Sequence, residues 1–216
     1  MPYTAKSKGE TIVTILYFVR HAQPDYRSGV NSTFPLSEEG QQDCLRAAAF
    51  LSDVAFDVAV SSPYRRSVQT IEPIIRKQKL QLHTDMRLRE RDHPGGNSNS
   101  NEMFKKRWAD LSFHEEGGES LAATQERNMA AVRDILREYN GQTVLVGTHG
   151  TAFSTIMRYY CPDYGYEDFI RITNFMPYIV RMDFDNESLL LTEELFYIDK
   201  PFHGVKEQIE ENQTGE

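Results

Sequence analysis

Ile12-Val13-Thr14-Ile15-Leu16-Tyr17-Phe18-Val19-Arg20-His21-Ala22-Gln23-Pro24 is the stretch whose reading decides the fold. Apart from Thr14, the residues up to Val19 are apolar and mostly β-branched or aromatic, and the run stops abruptly in charge and proline. A strand apolar on both faces is buried on both, as in the interior of a parallel sheet covered by helices. Arg20 and His21 then stand at its carboxyl end, the edge where open α/β sheets bind ligands. Alone, such a pair also suits a solvated Arg and a hydrogen-bonded His, so the question is whether the rest of the chain needs it.

Phe56 to Val60 is a second apolar run, closed by Ser61-Ser62-Pro63. This punctuation predicts a helix capped by Ser62 with Pro63 as its first residue, Arg66 in its first turn, and Val68, Ile71, Ile74 and Ile75 as its buried stripe. An earlier helix begins at Ser37, with Leu45, Ala48, Ala49 and Phe50 at helical spacing. Residues 80–84 read as a third strand, leading into Arg87-Leu88-Arg89-Glu90-Arg91-Asp92-His93. A short helix over about 102–111 carries Phe104 and Trp108, and a long helix capped by Ser120 spans about 121–139. Gln142 to Gly147 is a fourth strand running into Thr148-His149-Gly150, followed by a helix over about 151–160. Residues 175–183 and 188–197 form a hairpin around Asp185-Asn186.

Strands alternating with helices predict an α/β three-layer sandwich: a largely parallel central sheet with an antiparallel edge, helices on both faces, and a small helical cap. The expected organisation is one domain over residues 1–203, with the cap inserted at about 92–120, and a disordered acidic tail over 204–216.

The charge balance narrows the partners. With 24 Lys and Arg against 32 Asp and Glu, a formal charge of -8 over 216 residues, the chain is a poor nonspecific binder of nucleic acid or anionic membrane. An anionic ligand therefore needs a local basic site. Cys44 and Cys161 are too few for a disulfide framework and lack metal-ligand spacing, which fits a cytoplasmic setting. The apolar run up to Val19 is well short of the ~20 residues that span a bilayer.

Parallel strands bring their carboxyl ends to one edge, so Arg20 and His21, Arg66 and His149 are expected to converge. Two guanidiniums and two imidazoles beside free backbone amides suit a tetrahedral dianion such as phosphate. A neutral imidazole can attack phosphorus while arginines compensate the charge on the equatorial oxygens. The leaving alcohol needs a proton, and Glu90, between Arg89 and Arg91, is the candidate donor.

Five motifs in order carry a family resemblance: Leu16 to Gln23, Leu36-Ser37-Glu38-Glu39-Gly40, Ser61 to Thr70, Gly118-Glu119-Ser120-Leu121, and Val146-Gly147-Thr148-His149-Gly150. Together they resemble the histidine phosphatase superfamily, the phosphoglycerate mutase-like proteins, over about residues 12–160. The resemblance implies that His21 is the phosphorylated nucleophile, that Arg20, Arg66 and His149 form the phosphate pocket with Gly150 and Gln23 as further substrate contacts, and that Glu90 is the general acid. It also implies no metal and no cofactor. The implied activity is that of a histidine acid phosphatase-type phosphomonoesterase, with a small phosphorylated substrate and inorganic phosphate or another oxyanion in the pocket. A mutase and a non-catalytic phosphate-binding protein are the alternatives. The chain departs from the family pattern at Ala22, where Gly is usual, and at Asp92 to Gly96, which lacks the mutase signature. Arg87, Arg89 and Arg91 suggest either a second anionic group on the substrate or an arginine-rich solvated turn.

Overall fold

In the computed structural model, which describes residues 12–27, 30–93 and 100–200, the opening apolar run is strand β1 (Val13–Arg20). It is followed by α1 (Glu38–Phe50), β2 (Val58–Ser61), α2 (Arg65–Gln78), β3 (Leu82–Thr84) and a 3-10 turn at Met86–Leu88. Then come α3 (Asn101–Ala109), α4 (Leu121–Glu138), β4 (Thr143–Thr148), α5 (Gly150–Tyr160), α6 (Tyr166–Ile172), β5 (Phe175–Asp185) and β6 (Ser188–Asp199). One six-stranded sheet has the order β3-β2-β4-β1-β5-β6. Its first four strands are parallel, and β5 and β6 add the antiparallel edge.

Strand side chains alternate between faces, and β1 shows why both had to be apolar. Leu16 and Phe18 join Val58, Val60, Val144 and Val146 in a core shared with Met129, Val132 and Ile135 of α4 and Phe153 and Ile156 of α5. Tyr17 and Val19 point the other way, with Ala59 and Leu145, onto Ala47 of α1 and Ile71 and Ile74 of α2. The α/β sandwich, with helices on both faces, is therefore as expected.

Three local readings change. Ser62 does not cap α2, which begins at Arg65 after Tyr64 with no side-chain cap; its hydroxyl is engaged elsewhere. The inward face of α1 is its small one, Gly40, Asp43, Cys44 and Ala47, while Leu45 and Phe50 are exposed. The reason is close approach: a Cβ on Gly40 would lie 2.2 Å from the Gln23 carbonyl oxygen. Helix α6 had no counterpart in the sequence reading, being seven residues long, too short for a helical period to show. The stretch read as a cap contributes α3, whose Phe104 and Trp108 pack on Phe169 of α6. The acidic tail, with His203, lies outside the described residues.

Candidate active site

Register builds the site. Arg20 of β1 is level with Thr148 of β4, and Ser61 of β2 is level with Gly147. One residue further on, the His21 amide donates to the Thr148 carbonyl at 3.2 Å and the Ser62 amide to the Gly147 carbonyl at 3.0 Å. Because β4 lies between β1 and β2, His149 emerges between His21 and Ser62. The two imidazole rings are 5.2 Å apart, edge to face.

His21 is buried, and its Nδ1 lies 2.8 Å from the Ala22 carbonyl oxygen. A carbonyl only accepts, so Nδ1 carries the hydrogen and Nε2 the lone pair. Nε2 makes no hydrogen bond among the described residues. Burial, reinforced by Arg66 and then Arg20, pushes the His21 pKa well below its ordinary value, against the opposing pull of the Ala22 carbonyl. The ring is thus a neutral imidazole with a free lone pair, the form that a nucleophile requires. The Ala22 amide donates to Thr70 Oγ1 at 2.9 Å, and its methyl packs against Leu36 and Cys44 in a small core of its own.

Arg20 and Arg66 are buried without a carboxylate partner among the described residues. Arg20 donates through Nη1 to the Ile172 carbonyl and through Nη2 to the Thr173 carbonyl. Arg66 donates to the backbone and side-chain oxygens of Asn31 and lies over the Tyr64 ring. In both, Nε is fully buried and unpartnered, as are His149 Nδ1 and Thr148 Oγ1. Buried polar atoms without partners are rare, and several at one sheet edge mark a place for a ligand with many acceptor oxygens. Gly150 makes room for the cradle: a Cβ there would come within 3.1 Å of the Arg20 guanidinium. Burial and then Arg66 hold His149 neutral, its pKa well below the usual imidazole range.

Glu90 is seated on the first turn of α5. Its Oε1 accepts from the amides of Arg91 (2.8 Å) and Ala152 (3.1 Å), and its Oε2 from that of Thr151 (3.1 Å). It is near enough to act on the charges of both Arg20 and Arg66. Arg127 of α4 holds the loop behind it, donating to the carbonyls of Arg87, Arg89 and Glu90 and to both oxygens of Glu119. The neighbouring arginines are committed as well. Arg87 pairs with Asp85 and Asp134, Arg89 with Asp92 and Glu119, and Arg91 and Arg107 with Glu115. His93 is half-buried near Arg91 and Glu90, with burial first and Arg91 second in lowering its pKa.

The structure thus brings Arg20, His21, Arg66, Glu90, His149 and Gly150 to one edge of the sheet. Gln23 is turned towards α1: its carbonyl accepts from the Ser37 amide at 3.0 Å, and its Oε1 is 3.4 Å from Ser37 Oγ. Trp108 packs on Tyr164 and Phe169. Four residues escaped the sequence reading. Tyr26, whose hydroxyl burial makes less acidic against the influence of Arg66 and Arg20, and Asn31, which holds Arg66, lie in a loop without pattern. Ser62 contacts His149 and had been given another task. Arg127 had a signal, since Glu119 of the Gly118-Glu119 motif needed a partner, but it sits on a helix face that reads as solvent.

A doubly covered α/β sheet, with paired imidazoles and unpaired buried guanidiniums at the carboxyl edge, defines an enzyme that handles phosphate esters. The chain belongs to the histidine phosphatase superfamily (branch 1), whose pattern matches residues 16–193. It is 24% identical over 149 residues to the uncharacterized phosphatase PhoE of Bacillus subtilis, covering 67% of this chain and 76% of that one. It is 30% identical over 148 residues to phosphoserine phosphatase 1 of Hydrogenobacter thermophilus, covering 62% and 70%. In fold it resembles a mutant phosphoserine phosphatase of Entamoeba histolytica solved with phosphoserine, with TM-score 0.69, 18% identity, and 84% and 96% coverage. Its enzymatic class is that of a phosphatase. No helix among the described residues is long and apolar enough to cross a membrane.

Proposed function

We propose that the chain hydrolyses the phosphomonoester of a small metabolite through a phosphohistidine on His21. The observation that carries this reading is the His21 Nδ1 contact with the Ala22 carbonyl, which leaves the Nε2 lone pair free at the edge where Arg20 Nε, Arg66 Nε and His149 Nδ1 are buried without partners. In the first step Nε2 forms a bond to phosphorus as the bond from phosphorus to the ester oxygen breaks, and Glu90 gives its proton to the departing alcohol. Arg20, Arg66 and His149 hold the equatorial oxygens, where charge accumulates. In the second step the Glu90 carboxylate takes a proton from water as its oxygen attacks phosphorus, and phosphate leaves the restored imidazole. All charge compensation in this scheme comes from the chain's own side chains, so no metal is required.

The named relatives make phosphoserine the first ester to assay, within a panel of phosphate esters without added metal. The expected result is that His21→Ala abolishes turnover and acid-labile labelling, while Glu90→Gln loses most on esters with poor leaving groups. Undiminished hydrolysis by His21→Ala would sink the scheme. Isomerisation of a phosphosugar or phosphoglycerate faster than hydrolysis would move it to the mutase reading.

A further inference from the structure

We propose that Ser62 is a positioning residue that fixes which nitrogen of His149 carries the hydrogen, so that Nδ1 presents an N–H to the phosphate. The inference rests on the reading of this edge as a phosphoryl site and adds Ser62 to its working parts.

Counting hydrogens at Ser62 leads to it. The residue is fully buried, and its Oγ has two polar neighbours among the described residues: the Tyr64 amide at 3.2 Å and His149 Nε2 at 2.8 Å. A hydroxyl owns one hydrogen and two lone pairs. The Tyr64 amide can only donate, so it takes a lone pair. The hydroxyl hydrogen then needs an acceptor, and His149 Nε2 is the one in reach. If Nε2 bore a hydrogen, it too would donate to Oγ, and the Ser62 hydrogen would be stranded in a buried place.

The opposite nitrogen gives the consequence. His149 Nδ1 is fully buried and has no partner among the described residues, like Arg20 Nε and Arg66 Nε. With Ser62 donating to Nε2, the hydrogen of a neutral ring resides on Nδ1, and all three unpartnered atoms become donors for the same oxyanion. In the other tautomer Nδ1 would turn a lone pair towards phosphate oxygens, a repulsive contact. Protonating both nitrogens is not the alternative, because burial and then Arg66, His21, Arg127 and Arg20 all oppose a charge on this ring. A neutral imidazole beside two cations can donate only if something chooses its tautomer. Ser62 accordingly makes no cap bond to α2, which begins at Arg65 after Tyr64.

The test reads the tautomer directly and then its effect. In free wild-type protein labelled with 15N in histidine, His149 is expected to show a protonated Nδ1 and an unprotonated Nε2; the reverse pattern overturns the inference even before any variant is made. In Ser62→Ala that pattern is lost, kcat falls about 10–100-fold, and affinity for vanadate or inorganic phosphate falls with it. Ser62→Thr, which keeps the hydroxyl, restores all three readouts. A merely structural role would lower the unfolding midpoint of Ser62→Ala and leave tautomer and oxyanion affinity unchanged. If His21→Ala still turns over, the phosphohistidine scheme fails whatever Ser62 does. If His21→Ala is dead while Ser62→Ala keeps wild-type kcat and vanadate affinity, the Ser62 inference alone fails.

Discussion

Two groups of buried or largely buried arginines differ in one respect. Arg20 and Arg66 meet only neutral oxygens and keep Nε unpartnered. Arg91, Arg107 and Arg127 are tied to Glu115, Glu119 and backbone carbonyls. A buried guanidinium without a counter-ion is a cost that folding alone does not explain, and it persists where a ligand supplies the missing charge. A guanidinium already paired with carboxylates has no charge left to offer and instead fixes the backbone it binds. By this measure Arg87, Arg89 and Arg91 fall in the second group, each paired with carboxylates around the loop that carries Glu90.

The comparison breaks most readily by exchanging the two groups. In Arg20→Met and Arg66→Met, kcat/KM is expected to fall by about 10²–10³-fold, as when a donor to a developing anion is removed, while the unfolding midpoint holds or rises because an uncompensated buried charge has gone. Arg127→Met should behave in the opposite sense. Its side chain and that of Glu119 are 12% and 14% exposed, and Glu119 keeps Arg89 and the Asp92 amide as partners, so losing the charge-assisted bonds of Arg127 is expected to cost about 1–3 kcal/mol in denaturant unfolding. Equal stability losses in all three variants would erase the distinction. A finer version uses ligand linkage. Inorganic phosphate at a hundred times its Kd should raise unfolding free energy by about 2.7 kcal/mol in wild type, equally in Arg87→Gln, and not at all in Arg20→Met.

The smallest effect expected is on pH. The His21 and His149 pKa values are both lowered by burial first and Arg66 second. Between the unfolded value near 6.5 and the lower folded value, the unfolded chain binds protons that the folded one refuses. Stability of the ligand-free protein therefore falls as pH drops below about 6.5, by up to about 1.4 kcal/mol per pH unit for each imidazole. Denaturant midpoints at pH 7 and pH 5.5 measure this. A flat profile in wild type, or an unchanged slope in a His21→Ala, His149→Ala double variant, would show that the rings are not held neutral by the fold.

Much of this was legible in the chain because local rules leave few options. An apolar strand ending in Arg20-His21 had to be interior, and its parallel partners had to deliver Arg66 and His149 to the same edge. The reading failed where two roles compete for one side chain. Ser62 followed by Pro63 satisfies the grammar of a helix cap, yet its hydroxyl goes to His149, because a partner 87 residues away in sequence is invisible to any local rule. Helix α1 turned its small face inward because Gln23 comes close to Gly40, a contact that periodicity does not encode.

By itself, then, the sequence determined the α/β architecture, the sheet edge at which Arg20, His21, Arg66 and His149 converge, and the residue types gathered there, because burial pattern and strand direction are local properties with global consequences. Only the tertiary structure decided which charges are spent and which are spare. Arg66 and Arg127 look alike in the chain, and what separates them is whether a carboxylate from a distant segment arrives within bonding distance. The fate of a buried charge is set by its whole surroundings, and those exist only once the chain has folded.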